Sequence, residues 1–470
     1  MIDTLAAGPF LDWEELTGQS KFVVDIISVP IFSAVAGLLT NWTGVIMLFA
    51  PVRFTGFYVP GLKRLFPFLP RKLQILPTFA PNGILGFQGF VPCRAEKMGS
   101  LFVDTSISRI GSISDFYQEL NPDQLAESIA VAARPDIRRL ATEIIETQHP
   151  QLWRTLPQPM REEALRTIDA ELPTISKRAF DKIGENIDQL LNVKLMTVNY
   201  LRRYPEDLKE IFMGMAAPEL RFMVRIGALG FVFGIPLALF LTLVHYSGHE
   251  AEEHGEFVIH LPDSVNAVLH FFPAWLMVLV GAAMIGILVN IIAVKVVFEP
   301  GEPQPRYKYL WKHAKIAKRQ HQAAHELATM LSLKVLTVKN FAEELLHGAS
   351  ADKTRFLIEQ TVAEEADRIL GPFMTVARRS FGLVDVEGLQ GKAGTELVEF
   401  APTVLYEPEF NKAQAKRIEE FATKKFRALP ADKFGEMLYS AIEQDAWLLY
   451  AHGGLLGILV GATHILIFGA

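Results

Sequence analysis

Four stretches of the chain are apolar and long enough to cross a bilayer, for which a helix needs about 20 such residues. Ile26 to Phe49 carries no charge, and its few polar positions include Thr40 and Asn41. Ile226 to Val244 begins just after Arg225 and contains Pro236, and Phe272 to Val294 ends at Lys295, which can snorkel to the interface. Ala446 to Ala470 holds no Asp, Glu, Lys or Arg, and carries His452 and His464. Buried helices of soluble proteins rarely stay uncharged over such lengths, so all four are expected to be transmembrane helices, here called spans 1 to 4.

Between the spans the pattern changes. Asn121-Pro122-Asp123 is a helix start, with Asn as N-cap and Pro at the first helical position. Phe180, Ile183, Ile187, Leu190 and Leu191 keep the three-four spacing of one helix face. So do Leu327, Leu331, Val335, Val338 and Phe341, and then Phe434, Met437, Leu438, Ala441 and Ile442. Breaks are expected at Arg134-Pro135, Leu156-Pro157, Tyr204-Pro205, Gly371-Pro372 and Leu429-Pro430, and no run alternates as a strand would. From Thr55 to Pro92 prolines and glycines are too frequent for a long helix, and Phe54, Phe57, Tyr58, Phe66 and Phe68 interleave with basic residues.

The expected organisation is an all-α membrane protein, four transmembrane helices flanking two helical soluble domains. It runs as a short acidic N-terminus (1–21), span 1 (22–49), a Pro-, aromatic- and Lys/Arg-rich interface segment (50–92) and a first helical domain (93–222). Span 2 (223–246), an acidic outer loop (247–269), span 3 (270–297), a second helical domain (298–445) and span 4 (446–470) follow. The first twenty residues lack a basic n-region and no small-residue cleavage site follows, so span 1 is expected to be retained.

Charge sets the orientation. Arg53, Lys63, Arg64, Arg71 and Lys72 follow span 1, and Arg306, Lys308, Lys312, Lys315, Lys318 and Arg319 follow span 3. The loop from Ser247 to Leu269 has no Lys or Arg and holds Glu250, Glu252, Glu253, Glu256 and Asp263. Lys and Arg collect on the cytoplasmic side, so both long segments are expected inside, with the acidic loop and both termini outside.

The chain also repeats itself. Gly37, Leu39, Asn41, Val45, Phe49 and Pro51 of span 1 coincide without gaps with Gly286, Leu288, Asn290, Val294, Phe298 and Pro300 of span 3. Apolar matches between membrane helices are cheap, but an Asn and a terminal Pro at one offset are not. Weaker echoes pair Lys194-Leu-Met-Thr-Val198 with Lys334-Val-Leu-Thr-Val338, and Gly230 and Gly234 with Gly457 and Gly461. Two parallel repeats related by an axis along the membrane normal are expected.

Thr40, Asn41, Trp42, Met47, Leu48, Phe49 and Pro51, followed by Gly89-Phe90-Val91-Pro92-Cys93-Arg94, resemble the YheB/YjiN-like bacterial membrane proteins, the domain-of-unknown-function family numbered 445. The second copy departs from the pattern, with Ile291 in place of Trp42 and Val297 in place of Leu48. The resemblance implies a bacterial inner-membrane protein with helical soluble portions, and brings no activity, ligand or catalytic residue.

Composition narrows the choice further. The chain is 50% hydrophobic and 21% charged with a net charge of -6, which suits a mixed membrane protein and gives no basic excess for nucleic acid. Cys93 is the single cysteine, so no intrachain disulfide can form. No Walker loop, dinucleotide fingerprint, nucleophile elbow or HExxH motif occurs. His321 and His325 lie one turn apart beside Glu326, but a third metal ligand at helical spacing is missing. His245, His249, His254 and His260 lie in or beside the outer loop among carboxylates, where mixed ligands could bind a metal or sense protons, although short acidic loops are ordinarily just solvated.

Two sets of residues remain as candidates. Asn41 and Asn290 are costly in hydrocarbon without a partner, so they either line a shared site on the pseudo-axis or fix helix packing, and packing is the commoner use. Arg53, Lys63, Arg64, Arg71, Lys72, Arg306, Lys308 and Lys312, interleaved with aromatics, suit anionic lipid headgroups. The expected function is that of a non-enzymatic inner-membrane protein without cofactor or metal, which organises the membrane or handles lipid at the cytoplasmic face. The alternative is a transporter or channel component built from the two repeats. Membrane lipids are the expected partners, with room for a homo-oligomer and no role for nucleic acid.

Overall fold

A computed structural model describes Trp13, Leu16 and residues 18–53, 55–57, 85–104, 111–148, 150–155, 157–247, 258–305, 311–362, 364–365, 368, 405–406, 408–443 and 446–469. Four of its helices are long and apolar enough to cross a membrane: Lys21–Phe49, Pro205–Ser247, Ala274–Phe298 and Ala446–Phe468. At 29 residues the first extends about 43 Å, at the helical rise of ~1.5 Å per residue.

Spans 1 and 3 stop in the same way. The amide of Ala50 donates to the Ile46 carbonyl and that of Glu299 to the Lys295 carbonyl, both at 2.8 Å. Pro51 and Pro300 then follow with no amide hydrogen to offer, and both preceding peptide bonds are cis. Each chain turns back over its proline: Gly89 donates to the Pro51 carbonyl at 2.8 Å and Ala314 to the Pro300 carbonyl at 2.9 Å. A short helix starts next in each case, Phe90–Cys93 and Lys315–Lys318.

The chain divides into two compact units. The first comprises Met1–Arg94, Phe212–Ala323 and Pro430–Ala470 and contains the apolar spans. Its core includes Val29, Ala238, Leu241, Val278, Ala462 and Ile465, drawn from all four. The second comprises Ala95–Ile211 and Ala324–Leu429. The central parts of both helical segments, expected as separate domains, therefore fall into one compact unit.

Within the second unit the predicted stripes face inward. Ile183, Ile187, Leu190 and Leu191 are buried, as are Leu327, Leu331, Val335, Val338 and Phe341. Ser112 and Thr337 each cap a helix, accepting from the amides of Asp115 and Asn340 at 3.1 Å each. Lys194 pairs with Asp104, with Nζ–Oδ2 2.6 Å, and Thr329 donates to Glu419 at 2.8 Å.

The two strings of the Lys194/Lys334 echo lie at different places in their helices. Lys194 lies in the first turn of Val193–Arg203, whereas Lys334 closes Gln320–Lys334. Two other expectations need correction. Pro135 does not break its helix and sits inside Pro122–Gln148. Thr55–Phe57 and Leu85–Phe87 form a short antiparallel pair in the register Thr55↔Phe87, where no strand is expected. The start at Asn121 is as predicted, with Asn121 Oδ1 accepting from the Gln124 amide at 3.4 Å and Pro122 opening the helix.

Candidate functional site: polar groups inside the helix bundle

The glycines decide how closely the spans approach. A Cβ on Gly37 would collide with the carbonyl oxygen of Gly227, and one on Gly286 with that of Gly453. One turn along, a Cβ on Gly230 would meet the Ser33 carbonyl and one on Gly457 the Ala282 carbonyl. A further turn brings Gly234 onto Pro30 and Ser33, and Gly461 onto Leu279 and Ala282. Spans 1 and 2 thus pack closely at three levels, and spans 3 and 4 do so at the corresponding residues, with backbone meeting backbone at the first two levels of each pair. Such approach is the ordinary use of small residues where lipid supplies no hydrophobic drive.

The register between spans 2 and 4 shifts by one residue along this seam. From Gly227 to Gly230 takes three residues and from Gly453 to Gly457 takes four. A physical cause is visible: Gly227–Leu229 is a 3-10 turn, which closes in about three residues, whereas Ala446–Phe468 is continuous α-helix at about 3.6 per turn.

Asn41 and Asn290 lie beside these crossings and are 5% and 4% exposed. Asn41 Nδ2 donates to the Met223 carbonyl at 2.6 Å, and Asn290 Nδ2 to the Leu449 carbonyl at 2.7 Å. Each amide therefore locks its own helix to the one that returns beside it. Neither of these bonds joins one asparagine to the other.

A second polar group lies at the opposite ends of the spans, away from Pro51 and Pro300. Asp25 and Ser28, one turn apart on span 1, are 4% and 6% exposed. Ser28 Oγ is 3.0 Å from Nε2 of His464 on span 4, and His464 Nδ1 is buried without a hydrogen-bond partner. Lys21 Nζ approaches Asp25 at 3.8 Å. Phe32 meets the His464 ring edge-on at 5.2 Å between centroids, and Phe468 stacks on it at 5.1 Å. Trp13 covers this end, stacking on Phe468 and donating to the Ile467 carbonyl at 2.7 Å. In sequence Asp25 stands immediately before the uncharged run that begins at Ile26. The signal for the cluster was present, as Asp and Ser one turn apart and a histidine near the end of an apolar run.

A buried ion pair completes the set. Arg319 grips Glu219 with two bonds, Nε to Oε1 at 2.9 Å and a terminal nitrogen to Oε2 at 2.8 Å, and also donates to the Met215 carbonyl. Glu219 is 4% exposed, so this two-pronged geometry offsets part of its desolvation.

Of the candidate lipid contacts, Arg53 and Lys312 are exposed just beyond the ends of spans 1 and 3. Lys63, Arg64, Arg71, Lys72, Arg306 and Lys308 lie outside the described residues, as do His249 and His254. His325 faces Glu419 at 3.4 Å, and no group of three metal-ligating side chains occurs among the described residues. Comparison of the chain with protein-family models, with curated proteins and with solved structures finds no match.

Proposed function

We propose that this chain is a non-enzymatic protein of a bacterial inner membrane, built from two parallel copies of one span–helical segment–returning span unit. Its large helical segments lie on the cytoplasmic side, where it organises the membrane or handles lipid. The observation that carries the two-copy reading is the recurrence of contacts: the Asn41–Met223 and Asn290–Leu449 bonds and the three glycine levels. The basic segments after spans 1 and 3 support the orientation. The motif resemblance to the YheB/YjiN-like proteins supports the bacterial inner membrane.

Organisation is favoured over transport because the hairpins are closed where they cross. Backbones in contact at Gly37–Gly227 and Gly286–Gly453 leave no gap for a solute between those helices. Exposed Arg53 and Lys312, with the neighbouring cations and aromatics in sequence, suit anionic headgroups, each worth about 1 kcal/mol near a charged surface. Extraction of the full chain in polymer discs, followed by lipid mass spectrometry, tests this. Anionic lipid should be enriched over the bulk membrane, and less so after charge removal at Arg53, Lys63, Arg64, Arg71 and Lys72. A lipid profile equal to the bulk, unchanged by those substitutions, would remove the lipid reading.

A further inference from the structure

The cluster around His464 departs from the correspondence that the glycine crossings and the two asparagine bonds keep. Under the two-copy reading, on which this inference rests, the residue matching Asp25 is Ala274, that matching Ser28 is Met277 and that matching His464 is Leu237. Leu237 and Met277 each pack against the apolar core of the bundle, and Leu237 also fills the space beside Gly281, which matches Phe32. One crossing of the fold thus exists twice in one molecule, filled once by apolar side chains and once by a carboxylate, a hydroxyl and an imidazole. Packing alone is met by the apolar set.

The polar version carries a standing cost. A buried polar atom without a partner costs about 1–3 kcal/mol, and His464 Nδ1 is such an atom. The apolar copy has no such atom at the matching place. What the polar set adds is the ability to take up a charge. Imidazole binds one proton on its free nitrogen lone pair while the other nitrogen keeps the Ser28 hydroxyl. Asp25, one turn before Ser28 on the same buried face and 3.8 Å from Lys21 Nζ, is the carboxylate at this end of span 1. The stacked ring of Phe468 adds a π-face to a cation.

We propose that His464, Ser28 and Asp25 form a proton-binding site at the crossing of spans 1 and 4. Among the described residues, the other charged or titratable groups acting on it are Lys21 on span 1, opposite in charge to Asp25 and like in charge to a protonated His464, and His245 on span 2, which acts on Asp25. Span 3 presents Ala274, Met277 and their apolar neighbours at this level. The site lies about one turn from the end of span 4, at Phe468, so a proton need cross only a shallow layer to reach it.

The test uses the full chain in nanodiscs with 15N-labelled histidine. One resonance, absent in His464→Leu, should switch between neutral and protonated imidazole between about pH 4 and pH 9. Asp25→Ala should weaken proton binding at that ring about tenfold, the scale of one nearby opposite charge. A resonance that never switches, or one that Asp25→Ala leaves unmoved, overturns the site. The triple variant Asp25→Ala, Ser28→Met, His464→Leu copies the residues of the other crossing and should fold with stability equal to or above that of the parent. If it does not fold, the polar set is required by packing, and the two-copy comparison beneath the proposal fails. A folded triple variant beside a silent His464 overturns the proton site and leaves the two-copy reading intact.

Discussion

Replacing Asn41 or Asn290 by alanine removes one amide clamp from one hairpin, and the structure fixes what should follow. Each amide donates to a carbonyl of the helix beside it, at 2.6 Å for Asn41 and 2.7 Å for Asn290, and neither donates to the other. Interhelical hydrogen bonds in membranes average about 0.6 kcal/mol and reach about 1.7. Both clamps are short and deeply buried, which places them toward the upper end. Loss of the side-chain volume adds to this, giving about 1–2 kcal/mol for each substitution. Because the two bonds share no partner, the double variant should lose the sum, with a coupling energy below about 0.5 kcal/mol. Equilibrium unfolding of the full chain in mixed micelles, carried through the double-mutant cycle, measures this. A coupling of about 1 kcal/mol or more would refute the separate-clamp geometry.

Two further substitutions separate a close crossing from a buried glycine with room for a methyl group, and one titration follows from burial. Gly453→Ala should destabilise strongly, since its Cβ would lie 2.6 Å from the Gly286 carbonyl oxygen and would displace the Asn290 amide, whereas Gly435→Ala, with nothing nearer than 3.8 Å, should stabilise its helix by up to about 1 kcal/mol; thermal melts of both variants in detergent check the contrast. Burial holds the Glu344 carboxyl above the usual carboxylate range, so the folded state binds its proton more readily than the unfolded chain, and stability from this group is present in acid and lost as pH rises through the folded value. Glu344→Gln should therefore be more stable than the parent at neutral pH, with the advantage disappearing toward pH 4, and equal melting behaviour at both pH values would contradict it.

How much of this was legible in sequence depends on what decides each feature. The spans were readable because length and the absence of charge are set by the bilayer itself. Gly230, Gly234, Gly453, Gly457 and Gly461 announced close packing, since glycine in an apolar helix has few other uses. The partners of Asn41 and Asn290 were not readable, because a helix offers a carbonyl at every residue and only the crossing angle selects Met223 and Leu449. The strings at Lys194 and Lys334 look alike in sequence, yet one begins a helix and the other ends one, because caps such as Asn192 and Thr337 are single residues that a short string does not reveal. Pro135 shows tertiary packing overriding a local breaker. The strands Thr55–Phe57 and Leu85–Phe87 are three residues each with a glycine at the centre, too short for alternation to show.

The claim on which the account most depends is that both large helical segments lie on one side of the membrane, the cytoplasmic side, with the acidic loop on the other. Single cysteines introduced in a Cys93→Ser background by Glu162→Cys, Asp263→Cys and Lys353→Cys all sit at exposed positions. Labelled in intact spheroplasts with a membrane-impermeant maleimide, the cysteine of Asp263→Cys should react at once, while those of Glu162→Cys and Lys353→Cys should react only after the membrane is permeabilised. Reaction of either helical-segment cysteine in intact spheroplasts, or protection at position 263, would contradict it.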